Sequence, residues 1–296
     1  QSAGIDGTRL MSYADVAMYK AKGAGRGTYA FFEDAMTDQL QREMRLCDQL
    51  RHAVDEGEFF LLYQPKYELG SGRLDGLEAL LRWNHPELGV VSPSTFLPVA
   101  ERRGLIRRLS EFALEESCRQ ARDWLDRGLS FGHIAVNVCT PQVNDEGFYD
   151  VVLSCVESHG IPPESIEFEF TESLLMDSTE LVSDSINRLA EYGFRFAIDK
   201  FGTGFASFAY LRRFHADKLK IGAEFIQNID TDTNDAAIVQ AMVGLGTSLG
   251  ILTIAEGVET KAQADVLAGF GCDQVQGFLF SRPQSAMDIV SLLSEN

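Results

Sequence analysis

The feature that most constrains this chain is a unit that recurs from Phe59 onward. An amphipathic helix is followed by a glycine, a short apolar strand, and a polar residue at the strand's end. A helix over 115–127 stops at Gly128 and leads into HIAVNV, which places Asn137 at a strand end. Gly160 precedes SIEFEFTE, which carries Glu169 and Glu172. The helix with Val182, Ile186 and Leu189 stops at Gly193 and leads into FRFAID, ending on Asp199. The helix with Ile238, Met242, Leu245 and Leu249 stops at Gly250 and leads into ILTIAE, ending on Glu256. A last helix over 261–270 stops at Gly271 before CDQVQG and Gln276. Glycine supplies the left-handed cap that ends a helix. Strands alternating with helices of this length imply parallel βαβ units. Repeated along about 240 residues, such units predict an α/β fold, a modified (β/α)8 TIM-like barrel, over an open doubly wound sheet.

The residues before the repeat follow another pattern. ADVAMYKAK at 14–22 predicts a helix, Gly23, Gly25 and Gly27 break it, and 28–32 predicts a short strand. A helix and a strand are too little for a fold, so this is read as a short N-terminal helix-strand appendage. A further helix from about Asp38 to Val54 sets Leu40, Met44, Cys47, Leu50 and Val54 on one face. The expected organisation is an appendage over 1–36, a linker helix over 37–56 and the barrel over 57–296.

Composition narrows the function. Formal net charge is −18, which argues against a nucleic-acid polymer as partner, because such grooves neutralise phosphates with Lys and Arg. A phosphate-ester substrate would need divalent cations held by carboxylates. Most of the 44 acidic residues are expected to serve as solvated surface. No apolar run approaches the length of a membrane span. Gln1 opens the chain without a signal-peptide pattern, so the sequence reads as a fragment of something larger. The fragment is expected to be cytoplasmic and to make no membrane contact, which leaves room for a membrane anchor in the parent protein. Its five cysteines are scattered and never form a CxxC pair, so their spacing predicts neither a disulfide framework nor a zinc site.

In barrels of this kind the active site lies at the carboxyl ends of the strands. Glu78, Asn137, Glu169, Asp199, Lys220 and Glu256 are all placed there by the repeat. Taken singly, each reads as a helix N-cap or a solvated group. Taken together they point to a shared site, where four carboxylates and an amide oxygen suit hard cations, Mg²⁺ or Mn²⁺.

The ordered motifs YQP at 63–65, EALLRW at 78–83, EFTES at 169–173, FGTG at 201–204, LKI at 219–221, AEGVET at 255–260 and QGFLFSRP at 276–283 span the barrel. From Phe59 to Pro283 the chain resembles the EAL domains, and ADVAMYKAKGAGRGTYAFF resembles the end of a GGDEF domain. The cyclase signature itself is missing, since no Gly-Gly dipeptide occurs. The EAL resemblance implies a bacterial phosphodiesterase that opens cyclic-di-GMP to linear pGpG in second-messenger signalling. It implies that Glu78, Asn137, Glu169 and Asp199 bind one metal, that Glu256 anchors a second, and that Lys220 holds the attacking water. It further implies that Arg82 grips a substrate phosphate, that Gln64, Leu80, Glu259 and Gln276 lie near the substrate, and that Glu172 anchors the loop beginning at FGTG. A homodimer is implied by resemblance only.

Three departures bear on activity. Lys200 stands where the family has a second aspartate, which puts an ammonium at a metal-ligand position and predicts a weakened second cation site. Gly222 replaces an acid near the catalytic lysine, and Cys139 stands where serine is usual. Lys200 keeps a second reading open, a degenerate barrel that binds cyclic-di-GMP as a receptor without cleaving it. A purely structural dimerisation module is disfavoured by the intact Arg82, Gln64 and Glu259.

Overall fold

The connection between the first two barrel strands, 69–73, is too short for a helical crossover and permits only a hairpin. In the computed structural model, β1 (Phe59–Glu68) accordingly runs antiparallel to β2 (Leu74–His85). The strand-helix alternation therefore starts one strand later than the repeat alone suggests. The structure describes residues 11, 13–18, 21, 29–33, 44, 46–176, 179–203, 214 and 216–294.

After β3 (Gly89–Val91), a short hairpin partner of β2, come α1 (Pro93–Arg102) and α2 (Ile106–Asp126). The chain continues through β4 (Ile134–Asn137), α3 (Thr140–Val143), α4 (Phe148–His159), β5 (Ile166–Thr171), α5 (Glu172–Met176) and α6 (Glu180–Tyr192). It closes with β6 (Arg195–Phe201), β7 (Lys218–Ile221), α7 (Ala223–Ile226), α8 (Thr233–Leu249), β8 (Leu252–Ala255), α9 (Lys261–Phe270), β9 (Gln274–Val275) and α10 (Ala286–Ser294). Among the described residues the sheet order is β1-β9-β8-β7-β6-β5-β4-β2-β3, and the β1–β2 pairing closes eight of these strands into a barrel. The pairs from β2–β4 through β8–β9 are parallel, and β1 is antiparallel to both of its neighbours.

Period-2 alternation explains how the barrel is filled. In β5 the apolar Ile166, Phe168 and Phe170 join the hydrophobic core beneath the helices. Each such buried side chain stabilises the fold by roughly 1.5–3 kcal/mol. The intervening Glu167 and Glu169 point to the opposite face, into the barrel. Gly193 and Gly250 end α6 and α8 at φ 114° and 70°, values that only glycine adopts without strain. Thr260 and Gln263 form a reciprocal capping box at the start of α9.

Ahead of the barrel, a helix including residues 46–53 buries Cys47, Leu50 and Ala53 against Phe59, Trp83 and Phe96. Of the apolar face expected there, Met44 is exposed and Leu40 lies outside the described residues. The strand expected at 28–32 is not formed by the described residues, since 29–33 carry no sheet pairing. A strand needs a hydrogen-bonding neighbour, and among the described residues none pairs with 29–33.

Candidate active site

Parallel strands bring their carboxyl ends to one rim, and seven polar residues of the sequence expectation meet there. Glu78 lies in β2, Asn137 ends β4, Glu169 lies in β5, Asp199 in β6 and Lys220 in β7. Glu256 and Gln276 directly follow β8 and β9. A cavity of about 830 Å³ opens at this rim. Glu78, Asn137, Asp199 and Glu256 line it, as do Gln64, Leu80, Glu259, Gln276 and Lys200.

Lys220 is the hub. Its Nζ hydrogen-bonds to Glu169 Oε2 and lies 2.6 Å from Glu256 Oε1, 3.4 Å from Asp199 Oδ1 and 3.7 Å from Glu78 Oε2. Although burial opposes it, these four carboxylates hold the Lys220 ammonium well above the usual lysine range. Burial, together with the neighbouring Asp199, Glu78 and Glu169, raises the Glu256 carboxyl to about 7 against the opposing pull of Lys220. Glu78 is held below its ordinary value because Lys220 and Lys66 outweigh the effect of its burial. Its two oxygens accept from Asn137 Nδ2 at 2.9 Å and Gln276 Nε2 at 2.6 Å. Gln276 Nε2 also donates to Gln64 Oε1 at 3.1 Å, and Gln64 Nε2 donates to the Ser281 carbonyl at 3.1 Å.

Beneath this layer lies a second one that the sequence expectation missed. Fully buried Lys66 donates to Glu169 Oε1 at 2.6 Å and to Glu167 Oε1 at 2.8 Å. Glu167 Oε2 is 3.0 Å from Lys218 Nζ and 3.2 Å from His133 Nε2, and Lys218 reaches Asp75 at 2.6 Å. Charges taken out of water at such cost persist only when paired in this way. The signal was present: Glu167 alternates with Glu169 in β5 and Lys218 with Lys220 in β7, so each pair shares the inward face.

The remaining expected residues sit at the periphery. Arg82 is half-buried outside the cavity lining, and its Nη1 donates to the Leu81 carbonyl at 2.9 Å. Glu172 Oε2 accepts the Gly202 N–H at 2.9 Å, while 204–213, the rest of that loop, lies outside the described residues. Gly222 is the N-cap of α7. Half-buried Cys139 lines the cavity, and burial raises its thiol. Lys200 is exposed on the cavity wall with φ 52°. Among the described residues it forms no ion pair, so the ammonium groups paired with the carboxylate cluster are those of Lys220 and, from below, Lys66.

The donor set suits hard divalent cations. All candidate ligands are oxygens, carboxylates outnumber ammonium groups at the rim, and the Asp199 Oδ1 and Gln276 Oε1 atoms are buried without a hydrogen bond.

Fold and rim together define a class, a TIM-like barrel with an acidic, lysine-centred cleft at the strand carboxyl ends. The chain belongs to the EAL domain family, which matches residues 47–283. It is 42% identical over 282 residues to the bifunctional diguanylate cyclase/cyclic di-GMP phosphodiesterase MucR of Pseudomonas aeruginosa, covering 95% of this chain and 41% of MucR. It is 35% identical over 274 residues to the cyclic di-GMP phosphodiesterase NbdA of the same organism, covering 93% of this chain and 35% of NbdA. The chain thus spans well under half of these relatives. The solved PaMucR phosphodiesterase, in complex with c-di-GMP, superposes with a TM-score of 0.80 at 42% identity, covering 83% of this chain and 99% of that one.

Proposed function

We propose that this chain hydrolyses cyclic-di-GMP to linear pGpG, and the observation that carries the proposal is the Lys220-centred carboxylate cluster at the rim of an EAL barrel. Its likeness to the PaMucR phosphodiesterase in complex with c-di-GMP supports the same substrate. The cavity of about 830 Å³ lies in the range of small-molecule sites. Glu78, Asn137, Glu169 and Asp199 would hold one Mg²⁺ or Mn²⁺ and Glu256 would flank a second, supplying charge neutralisation at the phosphodiester and an acidified water.

The protein's own groups supply the rest. Lys220, fixed by carboxylates on several sides, directs its remaining N–H toward the attacking water and the charge that develops on phosphate. Arg82 presents a planar fork to phosphate oxygens from the carboxyl end of β2. Gln64, Leu80, Glu259 and Gln276 contact the substrate at the cavity wall, and Glu172 fixes the start of the loop at Gly202. Residues 1–36 are read as the end of a GGDEF domain. The MucR alignment supports this, since it covers more of the chain than the EAL match does. We assign the chain to the bacterial cytoplasm and to a homodimer. Among the described residues no helix is long and apolar enough to cross a membrane.

Lys200 at the cavity wall favours a second reading, a receptor that binds without cleaving. The test is incubation of the chain with cyclic-di-GMP and Mg²⁺ or Mn²⁺ while binding and pGpG release are followed together. Release that depends on the cation and is lost in Glu78→Ala is expected. Binding without release would establish the receptor instead.

A further inference from the structure

A cluster of metal-ligating side chains lies on the outer helical layer, away from the barrel rim. Glu115 projects from α2, and Cys155 and His159 project from one face of α4, four residues apart. Among the described residues this is the only group of three His, Cys, Asp or Glu whose ligand atoms lie within 4.8 Å of one another.

The geometry points to a binding site for a single Zn²⁺-like ion between α2 and α4, with Cys155 Sγ, His159 Nε2 and a Glu115 carboxylate oxygen as ligands. Cys155 Sγ lies 3.2 Å from Glu115 Oε2, and His159 Nε2 lies 3.3 Å from Glu115 Oε1. Tetrahedral zinc with its usual bond lengths sets such atoms about 3.3–3.8 Å apart. One ligand atom from each of the three residues already lies within 4.8 Å of the others, so binding draws the ligands together by about 1 Å or less.

His159 is already set as a ligand. Its Nδ1 lies 2.9 Å from the Cys155 carbonyl oxygen, which requires the proton there and leaves the lone pair of the neutral ring on Nε2. An imidazole that gives its other N–H to a backbone carbonyl is the usual support of a metal ligand. Nε2 then faces a Glu115 carboxylate oxygen at 3.3 Å, a position that either a proton on Nε2 or a cation between the two atoms fills.

The ligand chemistry selects the metal. One sulfur, one imidazole nitrogen and one carboxylate oxygen favour Zn²⁺ over the Mg²⁺ or Mn²⁺ that suits the all-oxygen rim. Glu115 is 61% exposed and His159 17% exposed, which gives an entry path and leaves the fourth position to water. In the metal-free molecule the Cys155 thiol donates to Glu115, and the ion takes the place of that proton. Nearby Arg119 and Arg122 are paired with Glu116 and Asp126, so neither competes for Glu115. The first half of α2 lines the rim cavity through Ile106, Leu109 and Ser110, so an ion here would tie that wall to α4.

The test adds Zn²⁺, and Co²⁺ as its spectroscopic probe, to the chain with the rim saturated by Mg²⁺. The expected result is one tightly bound ion per chain, a higher unfolding midpoint with Zn²⁺, and a thiolate-to-cobalt charge-transfer band with Co²⁺. Glu115→Gln, at an exposed position, and His159→Ala, at a part-buried one, should each weaken binding by about tenfold or more. Cys155→Ser should abolish the band, while Cys139→Ser, which removes the thiol at the rim, should leave it. No band in the unaltered chain, a band that survives Cys155→Ser, or undiminished affinity in both Glu115→Gln and His159→Ala would overturn the assignment.

Discussion

Lys66 and Glu169, 103 residues apart, meet at 2.6 Å inside the barrel with neither side chain exposed. Burial alone would discharge the lysine, but Glu167 and Glu169 hold it above its ordinary range. One Glu169 oxygen is thereby tied down on the side away from the rim, and the other faces Lys220.

Replacing Lys66 by Met keeps much of its volume and leaves two buried carboxylates short of a partner. Breaking a buried pair in this way costs about 3–5 kcal/mol. Denaturant unfolding of Lys66→Met should show that loss. A change below about 1 kcal/mol would mean that Glu167 and Glu169 are satisfied by Lys218 and Lys220 alone.

Arg82 carries the proposed phosphate contact without a carboxylate partner among the described residues. Burial lowers its pKa, with Glu78 opposing, and a guanidinium keeps its charge near neutral pH all the same. Loss of a charge-assisted contact costs about 1.5–3 kcal/mol, so Arg82→Ala should weaken cyclic-di-GMP binding by roughly tenfold to a hundredfold. Calorimetry with the metal present measures it, and a change of less than about threefold would remove Arg82 from the site.

Lys200 combines an exposed ammonium with a left-handed backbone at φ 52°. Aspartate tolerates that conformation better than lysine and supplies a carboxylate. Lys200→Asp should therefore raise turnover by roughly tenfold, about 1.4 kcal/mol in the barrier, without loss of stability. The comparison belongs at saturating Mn²⁺, so that weak metal affinity is not read as slow chemistry. Unchanged or lower turnover would place Lys200 outside the metal sphere or give it a role of its own.

Glu256 predicts a pH dependence in the metal-free chain. Its carboxyl is raised from 4.5 to about 7, chiefly by burial and despite Lys220. Its contribution to stability is therefore fully present below about pH 4.5 and is lost as pH rises toward about 7. Glu256→Gln cannot ionise, so its stability relative to the unaltered chain should increase across that window. Thermal unfolding of both proteins in chelator at a series of pH values gives the difference. A flat difference would show that Glu256 ionises normally beside Lys220.

Several features of this protein are written locally and were legible as such. A glycine in the left-handed region ends a helix whatever surrounds it, so the caps at Gly193 and Gly250 follow from sequence. Strand-end residues of parallel units share one rim, which gathers Glu78, Asn137, Glu169, Asp199, Lys220 and Glu256 before any coordinate is known. Period-2 alternation likewise puts Glu167 with Glu169 and Lys218 with Lys220 on the inward face.

Tertiary structure decided which of those inward groups touch. Lys66 meets Glu169, and Glu115 meets Cys155 and His159, only because barrel closure and helix packing bring together segments separated by 103 and 40 residues. No local propensity encodes a distance of that kind. The same holds for Lys200. Sequence put a positive charge next to Asp199, but the irregularity within β6 at Lys200 sends that side chain to the exposed wall while Asp199 stays buried beside Lys220. Adjacent residues on a strand point to opposite faces, and the bend at φ 52° decides how far apart their charges finish.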